Sequence, residues 1–343
     1  MMKPWRLPDG RLVDRFTLGG KDGLQAEVLA LGGILRSLTL PPTEKSGGRR
    51  IPLVLSLNQM TQYLADTSYL GQLVGRYGNR IGGAAFELDG KRYALTANNG
   101  ANTLHGGETG FGKYLWKVLG SGGGKTSYVK LGHLSPAGTN GFPGNLEVTA
   151  LISVFENTLT LAYEATTDAP TPISLTWHPY FALSGDPRTG IDEQVLTIAA
   201  SHYLPVNKSR VTTGEIAPVD GTPFDFRKPK SVRVPPASAH PQIALATGFD
   251  HCWVLDKPSA SSSGPVVAEL YSPASGVRMS VKTNLPGLQI YDASHLKVAY
   301  PGLHALCLEP ENFPNAPNHA HFPSSILRPG EIHRSFMSFS FSG

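Results

Sequence analysis

Cysteine is scarce in this chain of 343 residues, with only Cys252 and Cys307 present. They lie far apart, neither has a CxxC or Cys/His spacing, and each sits in an apolar run. Buried free thiols are therefore expected, not a disulfide framework or a zinc centre. Charge is sparse as well: charged residues make up 16% of the chain, against about a quarter in ordinary globular domains. Lysines and arginines are scattered, and a net charge of +4 gives no basic face for nucleic acid. Long apolar runs are missing too. Nothing approaches the roughly 18 residues of a membrane span, and Met1–Asp9 has no apolar stretch behind its charges. These absences predict a soluble, cytoplasmic protein without nucleic-acid or membrane partners.

Glycine and proline are abundant, at 38 and 28 residues, which implies many turns and few long helices. Short apolar or alternating segments recur from end to end: 16–18, 24–31, 34–40, 51–57, 116–119, 128–131, 146–155, 159–165, 195–198, 203–206, 249–255, 266–271, 277–281, 288–291 and 335–341. Asp89-Gly90 between alternating segments is a hairpin signal, and Glu156-Asn157-Thr158 joins two further strands. Residues 58–64 are a rare helical candidate, with Asn58 as N-cap. The Pro-, Gly- and charge-rich stretch 41–50 reads as a surface loop, and the Ser-rich stretch 258–265 as a mobile one. No internal repeat or composition shift marks a boundary. Strands at this spacing predict an all-β fold, one large antiparallel sandwich domain over residues 1–343.

Several motifs fail on inspection. Gly122-Gly-Gly-Lys-Thr126 resembles the end of a phosphate-binding loop, but the first glycine it requires falls on Leu119 and no helix pattern follows. There is no nucleophilic serine between spaced glycines and no His-Glu-x-x-His. His319 and His321 lack a third ligand nearby, so they read as a surface pair.

What remains is a set of polar residues in apolar or glycine-rich surroundings. Glu309 ends the apolar run from Leu303 and is followed by three prolines and three asparagines within Pro310–His319. That composition excludes a helix and argues against further regular strand. A carboxylate there is either a rim group paired to an arginine or a buried base of raised pKa. Asn79, Arg80 and His105 lie in glycine-rich, irregular sequence; His178 interrupts an aromatic segment; Asp250 and Gln289 border apolar strands. Singly, each has a plain reading: ion-pair partner, turn cap, core histidine, strand-end cap or solvent-facing amide. Together, with Trp and Tyr close by in sequence, they suit a neutral polyol such as a sugar.

The segments that carry these residues resemble those of the aldose 1-epimerases, the mutarotases of the galactose mutarotase type. They are Gly75-Arg-Tyr-Gly-Asn-Arg-Ile81, Asn102-Thr-Leu-His-Gly-Gly107, Gly110-Phe-Gly-Lys-Tyr-Leu-Trp116, Trp177-His-Pro-Tyr-Phe181, Gly248-Phe-Asp-His251, Leu288-Gln-Ile-Tyr291 and Cys307-Leu-Glu-Pro-Glu311 with its Pro-Asn-Ala-Pro-Asn-His continuation. They occur in the family's order and rough spacing, from about residue 10 to 341. The resemblance implies a galactose mutarotase-like supersandwich and interconversion of the α and β anomers of free aldohexoses, glucose or galactose. It implies Glu309 as general base and His178 as general acid. It further implies Asn79 and Arg80 on sugar hydroxyls, His105 near the ring oxygen, Asp250 on hydroxyls opposite, and Tyr180 and Gln289 lining the pocket. No metal or cofactor is implied, and the expected partner is a monosaccharide, bound by a monomer or weak homodimer. One position departs: Ala182 stands where many members carry Asn. Alternatives are a hexose-6-phosphate 1-epimerase, for which Arg76 and Lys113 are the cations near enough in sequence, and a non-catalytic carbohydrate-binding sandwich. A glycosidase using Glu309 with Asp250 is a further one.

Overall fold

The computed structural model describes residues 3–43, 46–261 and 264–343. The stretches 41–50 and 258–265 therefore each include two residues that lie outside the described ones. Every ladder of the largest sheet, which has nine strands, is antiparallel. At its centre the strands Leu146–Phe155, Thr158–Thr167 and His333–Ser342 lie side by side. Leu146–Phe155 alternates buried and more exposed residues along its length, as a strand with one face on a core must.

A second antiparallel sheet orders Ala217–Pro218, His202–Leu204, Asp250–Val254, Gly287–Tyr291 and Cys307–Glu311. A third contains Arg15–Gly19, Gln25–Leu29, Leu35–Leu40 and Ile51–Pro52, again antiparallel. One buried apolar cluster draws on all three sheets, running from Phe16 through Trp177, Trp253 and Leu308 to Phe341. The architecture is the expected all-β antiparallel sandwich, with few and short helices. No helix of the described residues is long and apolar enough to cross a membrane.

Three local expectations need correction. The helix runs Met60–Ala65 with Gln59, not Asn58, at its N-cap. The Gln62 side chain accepts from the backbone N–H of both Asn58 and Gln59, 3.0 Å each, and so fixes the start one residue later. The segment 51–57 forms regular ladder only at Ile51–Pro52. Beyond it, Leu53 N–H donates to Leu38 O while Leu55 N–H donates to Tyr180 O. The segment thus changes partners along its length and cannot continue one ladder. Finally, the strand holding Glu309 does not stop there: it continues through Pro310 to Glu311. Cys307–Glu311 is the last strand of its sheet, and a sheet edge is where proline's missing donor is tolerated.

Arg76, one of the two cations that kept the phosphate reading open, lies inside the protein. It is 2% exposed. Its Nη1 donates to Pro143 O (2.6 Å) and Gly144 O (2.9 Å), and its Nη2 to Ser135 O and Oγ (2.8 Å each). Burial lowers its pKa to about 10. This guanidinium ties loops together by satisfying buried carbonyls. Arg76→Met is expected to destabilise the fold by about 3 kcal/mol, read as a lower urea midpoint. An unchanged midpoint would mean that those bonds contribute nothing to stability.

Candidate active site

Strand periodicity builds one wall of the site. In Asp250–Val254, Gly287–Tyr291 and Cys307–Glu311, the ladder places Gln289 opposite both Cys252 and Glu309, and Asp250 opposite Tyr291. Side chains alternate, so Asp250, Gln289, Tyr291, Cys307, Glu309 and Glu311 share one face. The intervening Trp253, Leu288, Ile290 and Leu308 turn the other way into the main core. Acidic and amide groups are thereby held on rigid backbone, next to one another, by the hydrophobic pattern between them.

The facing wall is irregular. His178 follows the short strand Thr176–Trp177, anchored by its backbone N–H to Gln72 O (3.0 Å) and its carbonyl to Gly71 N–H (2.9 Å). Asn79 and His105 lock each other: His105 N–H donates to Asn79 O (2.9 Å) and Asn79 N–H donates to His105 Nδ1 (3.2 Å). The second bond leaves the proton of a neutral His105 on Nε2. Tyr69, Asn79 and His105 all have positive φ, between 50° and 58°. Such backbone costs about 1–2 kcal/mol for a non-glycine residue. Gly106, at φ +86, lies against the Gly75 carbonyl so closely that a Cβ would stand 2.1 Å from that oxygen. The glycines around this wall thus serve close backbone approach.

Between the walls lies a cavity of about 460 Å³. All eight residues singled out in the sequence line it: Asn79, Arg80, His105, His178, Tyr180, Asp250, Gln289 and Glu309. His178 Nε2 is 3.6 Å from Glu309 Oε1, and the two side chains are almost fully buried. Arg80 Nη1 is 3.7 Å from Asp250 Oδ2, and Arg80 Nε donates to Asn99 Oδ1 (3.0 Å). Gln289 Nε2 donates to Asp250 Oδ1 (2.7 Å), whereas the buried Gln289 Oε1 has no partner among the described residues. A buried acceptor left open in a cavity is suited to a ligand hydroxyl. Tyr180 stacks on His178 with ring centroids 4.9 Å apart, and its hydroxyl donates to Ser68 O (2.8 Å).

Sequence reasoning missed Tyr69, Asn99, Arg210, Tyr291 and His295, which also line the cavity, and Glu311 behind it. Tyr69 and Arg210 sit in turns with no local signal. Glu311 had one, since two residues after Glu309 on a strand is the same face. Ala182, the departure noted above, packs in an apolar cluster with Leu55 and Tyr180 and is not part of the cavity lining.

Burial dominates the electrostatics. It lowers His178 to about 4, with Asp250 pulling the other way. It raises Glu309 well above the usual carboxylate range; Glu311 and Asp250 add to the rise and Arg80 opposes it. His105 is lowered by burial and by the nearby His178 and Arg80. Burial therefore favours a state of the Glu309–His178 pair that holds one proton and no net charge. With that proton on His178, Glu309 is a carboxylate of high basicity and His178 an imidazolium of high acidity. His178, Cys307 and Glu309 bring donor atoms within 4.8 Å of one another. The ring nitrogens of His178 face different groups, however: Nδ1 lies 3.6 Å from Cys307 Sγ and Nε2 faces Glu309. The arrangement suits proton transfer at two nearby points better than three donors converging on one ion.

Known proteins resemble the chain over nearly its full length. The family model for aldose 1-epimerase matches residues 14–340. The galactose mutarotase of Sus scrofa is 36% identical over 98% of this chain and 96% of its own, and the aldose 1-epimerase of Escherichia coli is 30% identical over 98% of each. Among solved structures, galactose 1-epimerase from Lactobacillus acidophilus superposes with a TM-score of 0.84 at 27% identity, over 99% of this chain and 97% of that one. Fold, motifs and matches spanning nearly the full length coincide, and the chain belongs to the aldose 1-epimerase family.

Proposed function

We propose that this protein interconverts the α and β anomers of free aldohexoses such as glucose and galactose, by acid–base opening and closing of the ring. The observation that carries the reading is the buried Glu309–His178 pair, 3.6 Å apart, beside groups suited to hydroxyls. Glu309 as carboxylate takes the proton of the C1 hydroxyl while His178 as imidazolium protonates the ring oxygen. The C1–O5 bond breaks and leaves an aldehyde with a free C5 hydroxyl. Rotation about C1–C2 presents the other carbonyl face. On closure the C5 hydroxyl returns its proton to His178, and Glu309 returns its own to the new C1 hydroxyl.

The pKa shifts favour this direction of transfer. Before the step the pair is charged, after it both members are neutral, and burial stabilises the neutral state. Arg80 and Asp250 oppose that preference from either side, Arg80 holding charge on Glu309 and Asp250 holding it on His178. His105 and Arg80 supply donors near the ring oxygen, Asn79 and Asp250 read hydroxyls, and Gln289 and Tyr180 complete the lining. The reading takes the chain as one cytoplasmic domain, and two buried free thiols fit a reducing compartment.

The two cations that kept a phosphorylated substrate open are engaged elsewhere. Arg76 is committed to buried carbonyls, and Lys113 Nζ donates to Asp66 O (3.1 Å). Side-by-side rates with D-glucose and D-glucose 6-phosphate test the choice: faster equilibration of the free sugar is expected, and the reverse order would favour the phosphate reading. Acceleration of either excludes a sandwich that only binds. Asp250→Asn is expected to raise KM about tenfold or more, because a charge-assisted hydroxyl contact is lost. An unchanged KM would remove Asp250 from the binding set.

A further inference from the structure

Glu311 is a buried carboxyl that this mechanism does not use. It is 1% exposed and shares the site face with Glu309, 2% exposed. No cation pairs with it among the described residues. Its side-chain bond is from a neutral amide, Asn79 Nδ2 donating to Oε1 at 3.2 Å. Its Oε2 rests so close to Gly78 that a Cβ there would stand 2.9 Å from it. Asn79 is also held on its other side, with Oδ1 accepting from Arg80 N–H (2.9 Å) and its backbone tied to His105, which leaves one Nδ2 hydrogen for a sugar hydroxyl. Glu311 thus anchors the residue from which the facing wall is built.

Glu309 and Glu311 differ in one decisive respect. A proton leaving Glu309 has a receiver, His178 Nε2 at 3.6 Å, so its negative charge is matched by an imidazolium. A proton leaving Glu311 has none, and a second buried negative charge on the same strand face would repel the first. We propose that Glu311 is a positioning residue for this reaction: it holds Asn79 in place and keeps its own proton while Glu309 yields its proton to His178, so the two carboxyls carry one negative charge between them. The inference rests on Glu309 being the base.

The groups facing Glu311 fit this arrangement. Asp250, two strands away in the same sheet, opposes its ionisation, and Arg80, from the other wall, favours it. Tyr77 and Cys252 are buried neighbours whose own ionisation Glu311 opposes. Burial, the largest influence, raises Glu311 to about 8.

Carboxyl carbon NMR of protein labelled at the glutamate side chains, titrated in the parent, Glu311→Gln and Glu309→Gln, tests the shared charge. Removing either carboxyl is expected to lower the titration midpoint of the other by about one pH unit or more. Midpoints that ignore the partner's removal overturn the proposal. This readout needs no turnover, so it stands apart from the identity of the reaction. The Asn79 part is tested by KM for galactose. Glu311→Ala is expected to raise it several-fold, and Glu311→Gln, which keeps the Oε1 acceptor, to restore most of it. Equal KM for Glu311→Ala and the parent overturns that part. If no variant or parent turns over sugar while the midpoints remain coupled, the reading of the reaction fails and the charge sharing stands.

Discussion

Glu309→Gln is expected to lower kcat for anomer exchange by about a thousandfold or more, in a protein that folds as the parent does. The side chain keeps its shape, and the backbone ladder to Gln289 does not involve it. What disappears is the carboxylate 3.6 Å from His178 Nε2, and with it the acceptor for the C1 proton. General acid–base groups contribute about 10²–10⁴ in rate. A base whose pKa burial has raised belongs in the upper part of that range. A Glu309→Gln variant working at the parent rate would mean that another group is the base.

His178→Asn is expected to cost about a hundredfold or more in kcat and to change the pH dependence. An Asn side chain is too short to reach the position of Nε2, so no acid remains beside Glu309. In the parent, the pair holds its one proton from about pH 4, the value to which burial lowers His178, up to the raised pKa of Glu309. Activity should therefore be flat between those two limits. In the variant, Glu309 must shed its proton to solvent to act as a base, and burial holds that proton on. Residual activity should climb with pH over a range where the parent is level. A variant profile parallel to the parent's would argue that His178 does not share the proton.

Much of the fold was legible because local rules and tertiary structure agree. Asp89-Gly90 forms a two-residue turn, with φ of 50° and 75°, and Leu88 pairs with Lys91. The Glu156-Asn157 turn likewise joins Phe155 to Thr158. Period-two alternation in 146–155 and 335–341 matches strands at the centre of the nine-stranded sheet. The segment 51–57 misled because apolar residues that change partners along their length look like a strand that belongs to one sheet. Pro310 misled in the opposite sense, since nothing local tells that its strand is an edge.

The site was legible for a different reason. Each polar residue stood out against apolar or glycine-rich neighbours, but only the family resemblance joined them to one reaction. Burial of Gln289 and Asp250, and the depth of Glu309, depend on three strands being adjacent, which no single segment encodes. Tyr69 comes to the cavity through a left-handed turn, and sequence leaves no periodic trace of that.

The most direct test is polarimetry of freshly dissolved α-D-galactose, with and without a catalytic amount of the parent protein at neutral pH. Optical rotation is predicted to relax to the same equilibrium value in both, far faster with protein, at a rate proportional to its concentration and without added metal or cofactor. Relaxation at the buffer's own rate, for galactose and glucose alike, would contradict the account.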